Sequence, residues 1–122
     1  ENSDGSKYSS SSTVDHRLHG VGICFRTSSD ETVVVKSLIK GCAADRDGRI
    51  QIDDVLFAVD GRCIQNEPWT VIKCLLLGNE GTDVRLEFVR QQSRKLSQIM
   101  EISLIEVILK RGSLEYFLKI DQ

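Results

Sequence analysis

Cysteine and histidine residues are the first candidates for chemistry, because thiolates and imidazoles bind metals and act as nucleophiles. The chain has two histidines, no C-x-x-C pair, and four cysteines separated by 18, 21 and 11 residues. This spacing argues against a zinc site. The cysteines have apolar or small neighbours, where a free thiol behaves as a compact buried hydrophobe. We expect the four thiols to be reduced: Cys24, Cys42, Cys63 and Cys74. We also expect a cytoplasmic location and no bound metal or cofactor.

An acidic stretch in the middle of the chain has a superficial likeness to a calcium-binding loop. Asp45 and Asp47 match two of its ligand positions. The first ligand position, however, would be Ala43, which has no side-chain oxygen, and the last would be Asp54 instead of a bidentate Glu. We therefore interpret the stretch as turn and surface, with Asp53 or Asp54 capping an element or solvated.

The arrangement of possible catalytic residues does not predict an active site. A nucleophile and its base are held together by separate elements, whereas Asp15, His16 and many serines share one N-terminal segment. No Cys-His or Ser-Lys arrangement stands out. His16 and His19 have no partner at metal-ligand spacing and are expected to be solvated loop side chains. We predict that the chain is not an enzyme.

The composition is that of a soluble globular chain. Its 122 residues are enough for one domain, or one domain with a tail. Apolar residues make up 40%, charged residues 28% and aromatic residues 6%, which excludes a membrane protein and a wholly disordered one. The net charge of -2 provides no field that would attract nucleic acid. Because the chain begins with Glu1 and shows no signal peptide, it is expected to be a fragment of a longer protein.

Hydrophobic patterns predict strands first and helices later. Residues 1–12 are Ser-rich and are expected to form a flexible leader. A strand is predicted from about Gly22, and the β-branched run TVVVKSLI predicts an antiparallel neighbour. One helical turn at about 42–46 and a strand at about 54–59 follow, and Asp60-Gly61 marks the turn after that strand.

The second half of the pattern contains a longer helix and a last strand. The helix is predicted over 67–77, with Asn66 as its N-cap, Pro68 in its first turn and Gly78 as its terminator. The segment VRLEFVR alternates, which predicts a half-buried strand. The fold class is therefore mainly β with two helices, as a small, partly open β-barrel or sandwich whose openings the helices cover.

Three pieces in a fixed order resemble the PDZ domain family. They are Gly20-Val21-Gly22-Ile23 in place of the G-L-G-F loop, the central stretch GCAADRDGRIQIDDVLFAVDG, and the helix followed by NEGTDVRLEFVR. A lone G-x-G is weak, but the three pieces at family-like spacing are jointly specific. The match covers about residues 14–90, and it places a scaffold-type PDZ domain at 13–91.

The resemblance implies a module that accepts the C-terminus of a partner protein as an added strand between the second strand and the second helix. The edge of strand residues Ile23, Cys24, Phe25 and Arg26 would pair with the peptide. The N–H groups of the Gly20–Ile23 loop would converge on the peptide carboxylate as a backbone nest, which glycine permits without strain. Arg17 lies where many family members carry a basic residue that supports the carboxylate.

The resemblance also implies which helix residues select the peptide. If Trp69 is the first groove position, then Trp69, Lys73 and Leu76 share one face, and Ile72 turns toward the core or lines the pocket for the last ligand side chain. The commonest subclass has histidine at that first position and selects Ser or Thr. Trp69 instead predicts an apolar antepenultimate ligand residue, and Lys73 would attract an acidic side chain. The alternative is that Trp69 is a core residue and Lys73 a solvated charge.

Residues 92–122 lie beyond the match and form an apolar extension. An amphipathic helix over about 93–109 is one interpretation, although almost no polar face remains. The other is β structure: an extra hairpin packed on the domain, or the start of a degenerate second module with a strand, the turn R-G-S and another strand. We hypothesise that residues 94–122 occupy the peptide groove or mediate self-association.

Three functions remain open from sequence. The first is a protein-protein interaction and signalling scaffold that binds C-terminal peptides, with recruitment to membranes through its partners. The second is a substrate-sensing PDZ-like domain detached from a protease. The third is a module whose groove is blocked and which acts by dimerising. We expect no nucleic-acid or metal partner in any of them.

Overall fold

The computed structural model describes residues 18–93 and 100–120. The predicted leader and the N-terminal residues His16 and Arg17 lie outside the described residues. The described elements are, in chain order, β1 (Leu18–His19), β2 (Ile23–Thr27), β3 (Val33–Leu38), α1 (Ala43–Asp47), β4 (Val55–Val59), β5 (Arg62–Cys63), α2 (Trp69–Leu76), β6 (Gly78–Asn79), β7 (Asp83–Ser93), β8 (Met100–Lys110) and α3 (Leu114–Ile120).

The strands form one large antiparallel sheet and one small one. The large sheet has the order β2-β3-β4-β7-β8, with β5 paired to β4, and β1 pairs with β6 in a separate two-stranded sheet. The large sheet does not close, so β2 and β8 are its two edge strands. The predicted class, a mainly β and partly open architecture with helices, is confirmed.

The core lies between the sheet and the helices. Three alternating residues of β7 are at most 1% exposed, as the period-two pattern predicts: Val84, Leu86 and Phe88. Ile72 and Leu76 of α2 pack into the same cluster as Val35 of β3. The small side chains of Ala43 and Ala44 let α1 approach this cluster closely and are themselves buried.

One turn follows the sequence pattern, and one helix start does not. Asp60 and Gly61 both have positive φ, of 50° and 83°, which suits the tight turn between β4 and β5. The prediction that Asn66 caps α2 is wrong, because Asn66 is itself left-handed with φ of 66°. Pro68 is the N-cap instead, with no side-chain hydrogen bond, since its extended backbone leads directly into the first turn.

The described part of the C-terminal extension belongs to the same sheet and core. β8 pairs with β7 along its whole length, from Asp83↔Lys110 to Ser93↔Met100. Residue 91, at which the sequence analysis ends the PDZ domain, lies within β7. Val107, Leu109 and Phe117 are buried in the central cluster. After the R-G-S turn, the chain forms the helix α3 and not the expected second strand. The alternative prediction of a helix over about 93–109 is also wrong, because residues 100–109 belong to the strand β8.

The position of β8 also bears on the groove hypothesis. β8 occupies the sheet edge opposite β2, so residues 100–110 do not pair with the edge at which a peptide would add. Residues 94–99 lie outside the described residues. No helix in the described ranges is long and apolar enough to cross a membrane.

Candidate functional site

The outer edge of β2 carries main-chain groups that the sheet does not use. Ile23 lies opposite Leu38, and the N–H of Ile39 donates to the carbonyl of Gly22 at 2.8 Å. In an antiparallel ladder, this bond makes Ile23 and Leu38 a non-hydrogen-bonded pair. The N–H and C=O of Ile23 therefore point away from β3, toward the open edge of the sheet.

The loop before β2 uses its carbonyls, but not all of its N–H groups, in hydrogen bonds within the described residues. Its three carbonyls all accept hydrogen bonds, at 2.8 to 3.0 Å, from N–H groups on other segments: Gly20 from Gly112, Val21 from Ala44 and Gly22 from Ile39. Within residues 18–93 and 100–120, no acceptor pairs with the N–H of Val21 or of Gly22. Gly22 has φ of +80°, a conformation that favours glycine. Successive free N–H groups at such a turn form a site for an anion.

The first turn of helix α2 contacts the middle of β2. The ring of Trp69 lies 6.0 Å from the ring of Phe25, centroid to centroid, with an interplanar angle of 59°. This tilted arrangement joins the first turn of α2 to the middle of β2. Trp69 remains 44% exposed, so it does not lie in the core.

The remaining candidate groove residues divide into a buried apolar set and an exposed set. Val21, Ile72 and Leu76 are buried in the core cluster, and Ile23 and Phe25 are partly buried against that cluster. The other three candidate residues have exposed side chains: Cys24, Arg26 and Lys73.

Arg26 and His19 have neighbours that the sequence did not suggest. Arg26 forms an exposed ion pair with Asp53 at 3.3 Å, so its side chain is engaged beside the groove. His19, expected to be solvated, is only partly exposed, and its Nε2 lies 3.7 Å from the carboxylate of Glu80. Arg17, the candidate for carboxylate support, lies outside the described residues.

Residues 34–90 of the chain match the PDZ domain family model. This chain contains a PDZ domain. PDZ domains are non-catalytic modules that bind peptides by strand addition. Helix α2 lies within the matched residues, and the glycine loop and β2 precede them in the chain.

Two solved structures share the fold of this PDZ domain. The photosystem II D1 C-terminal processing protease superposes with a TM-score of 0.64 at 20% sequence identity, over 83% of this chain and 25% of that chain. The PDZ domain of the carboxy-terminal protease from Vibrio cholerae, solved in complex with a peptide, superposes with a TM-score of 0.63 at 18% identity, over 77% of this chain and 93% of that chain. At these identities the likeness concerns the fold alone. No curated protein matches the sequence.

A buried ion pair beneath the PDZ domain's sheet was missed by sequence reasoning. Asp54, expected to be a cap or solvated, is 1% exposed and accepts two hydrogen bonds from Arg90, at 2.7 and 2.8 Å. The N–H of Gln51 donates to the same carboxylate at 2.9 Å. Hydrogen bonding to Asp54 raises the pKa of Arg90. The partners lie 36 positions apart in the chain, so no local pattern could have revealed the pair.

The cysteines of the PDZ domain are all free. Cys24, Cys63 and Cys74 are exposed, whereas Cys42 is buried, so the expectation of four buried thiols is correct for Cys42 alone. Burial raises the pKa of the Cys42 thiol. In the described part of the chain, no three Asp, Glu, His or Cys side chains are grouped as a metal site.

Proposed function

We propose that this PDZ domain binds the C-terminal peptides of other proteins by β-strand addition between β2 and α2. The observation that carries the proposal is the unpaired main chain of the groove: the outward N–H and C=O of Ile23, continuous with the free N–H groups of Val21 and Gly22. An extended peptide would continue the sheet beyond β2. Its terminal carboxylate would accept hydrogen bonds from the loop.

The groove chemistry favours an apolar ligand. The last peptide side chain would enter the floor formed by Ile23, Ile72 and Leu76. The antepenultimate side chain would contact Trp69, whose ring offers a large apolar surface and one N–H donor. Lys73, exposed on the same helix, would favour an acidic residue in the ligand. We propose a hydrophobic ligand class without Ser or Thr at the antepenultimate position.

The test is fluorescence polarisation with labelled C-terminal peptides, each paired with a twin whose C-terminus is amidated. We expect dissociation constants of roughly micromolar for the free acids and binding at least about tenfold weaker for the amides. Equal affinity of acid and amide would contradict recognition of the carboxylate. A peptide array that varies the antepenultimate residue tests the ligand class, and strong selection of Ser or Thr would contradict it.

A second candidate function uses the same groove. The fold likeness to the D1 processing protease covers 83% of this chain. Residues 14–90, which carry the resemblance in sequence, make up less than two thirds of the chain. The structural likeness therefore extends beyond those residues. This coverage favours a domain organised like those of such proteases, in which the groove would sense the C-terminus of a substrate. The chain spans 25% of that protein's length, so any activity of a longer protein is a separate proposal. Selection of many unrelated apolar C-termini would favour this candidate, and selection of one narrow motif would favour a scaffold.

A further inference from the structure

Arg111 lies beside the C-terminal end of α2. It is 9% exposed. Its Nε donates to the carbonyl of Leu76 at 3.0 Å, and its Nη2 donates to that of Leu75 at 3.1 Å. These carbonyls belong to the last turn of α2, where helical acceptors lack intrahelical partners and where positive charge is favourable. Arg111 therefore holds the C-terminal end of α2.

The same segment also holds the loop. The N–H of Gly112 donates to the carbonyl of Gly20 at 3.0 Å. Gly78 pairs with His19 in the small sheet, and a β-carbon on Gly78 would come within 2.8 Å of the Arg111 side chain. The guanidinium thus packs directly behind the strand pair that leads into the Gly20–Ile23 loop.

The charge of Arg111 has no counter-charge in the described part of the chain. Its acceptors are all neutral: the carbonyls of Leu75, Leu76 and Asp83 and the hydroxyl of Thr82. The carboxylate of Asp83 instead contacts Lys110 at 3.3 Å. A buried cation without a carboxylate is costly, and its field is weakly screened in a low-dielectric interior.

We propose that Arg111 is a positioning residue that supplies the positive charge for the ligand carboxylate. This inference rests on the proposed function, since it concerns the same groove. The bound carboxylate, held by the loop N–H groups, is the counter-charge that the protein does not provide. Arg111 acts through the loop and the helix end, and the selectivity for a free C-terminus depends on its charge.

The experiment compares Arg111→Gln with Lys110→Gln, using acid and amide peptides in the polarisation assay. Both substitutions remove one positive charge from adjacent residues, but the Lys110 side chain is exposed on β8 and pairs with Asp83. We expect Arg111→Gln to lower the acid-over-amide affinity ratio by roughly five- to tenfold and Lys110→Gln to leave it unchanged. Arg111→Lys, which keeps the charge, should retain most of the ratio. A purely structural role would instead weaken acid and amide equally.

A second measurement uses the unaltered chain, so the test does not depend on folding of the variant. The Nε–H resonance of Arg111 should shift when the free-acid peptide is added and shift much less with the amide. Suppose that the wild type prefers free-acid peptides, but that Arg111→Gln leaves the acid-over-amide affinity ratio unchanged and the Arg111 resonance does not shift with the acid peptide. The proposed role of Arg111 is then wrong, and the proposed function stands. If the wild type shows no acid preference, both proposals are wrong.

Discussion

The backbone of Gly22 lies directly against the side chain of Cys42. A β-carbon built on Gly22 would come 2.4 Å from the β-carbon of Cys42. Gly22 also has φ of +80°, so both its conformation and its surroundings require glycine. The carboxylate loop is therefore positioned by the start of α1 as well as by its own turn.

Gly22→Ala should both destabilise the domain and abolish measurable peptide binding. The left-handed backbone costs an alanine about 1 kcal/mol, and the contact with Cys42 adds about 1–3 kcal/mol of overpacking. Urea denaturation measures the free energy of unfolding, and polarisation measures binding. Gly48→Ala is the matched control, because Gly48 has φ of +82° but no atom within 4 Å of its β-carbon position. If Gly48→Ala impaired binding equally, the role of the loop would be refuted.

Trp69→Ala should weaken binding of peptides with an apolar antepenultimate residue by about tenfold or more. Stability should change little, because Trp69 is already 44% exposed. Ile108→Ala removes an apolar side chain that is 62% exposed on β8, at the far sheet edge, and should leave affinity unaltered. An unchanged affinity in Trp69→Ala would show that Trp69 does not contact the ligand.

Asp54→Asn should lower the free energy of unfolding by about 3 kcal/mol, because it leaves the guanidinium of Arg90 without its charge partner. Asp53→Asn is the control at the adjacent residue: its ion pair with Arg26 is exposed and should contribute at most about 1 kcal/mol. Chemical denaturation of both variants gives the comparison. Similar losses in the two would contradict a special role for the buried pair.

Thiol labelling of the native domain should modify the exposed thiols, those of Cys24, Cys63 and Cys74, and leave Cys42 intact. Burial shields Cys42 and raises its pKa, and both effects reduce reaction through the thiolate. Mass spectrometry after brief alkylation counts the modified thiols, and the same reaction in urea should modify Cys42 as well. Rapid native labelling of Cys42 would contradict its packing under the loop.

The Asp47–Arg49 pair should make stability depend on acid pH. Hydrogen bonding to Arg49 lowers the pKa of Asp47 in the folded chain, so the unfolded chain binds a proton first as the pH falls. The pair is therefore fully stabilising above the ordinary Asp pKa of about 4 and is lost as the pH falls through the lowered folded value. Asp47→Asn should be less stable than wild type at pH 7, with a difference that narrows below about pH 4. A pH-independent difference would argue against the pair, and in an Arg49→Gln background the effect should disappear.

The local elements could be predicted because their patterns are short. The period-two burial of Val84, Leu86 and Phe88 and the turn at Asp60-Gly61 both follow from neighbouring residues. The groove positions of the Gly20–Ile23 loop and Trp69 could be proposed only from the resemblance to PDZ domains. α3 could not, because its apolar run suits a strand as well as a helix, and packing of Phe117 on the core decides between them.

By itself, the sequence determined the order of the longer elements from β2 to β7, since periodicity and turn chemistry act within a few residues. The resemblance to PDZ domains added the glycine loop and the residues that could face a groove. The tertiary structure alone decided that Asp54 is paired with Arg90, that β8 completes the sheet at the edge opposite the groove, and that Arg111 joins the end of α2 to the loop. Each of these depends on burial and contact between residues distant in the chain, where removal from water decides which charges pair and which strands meet.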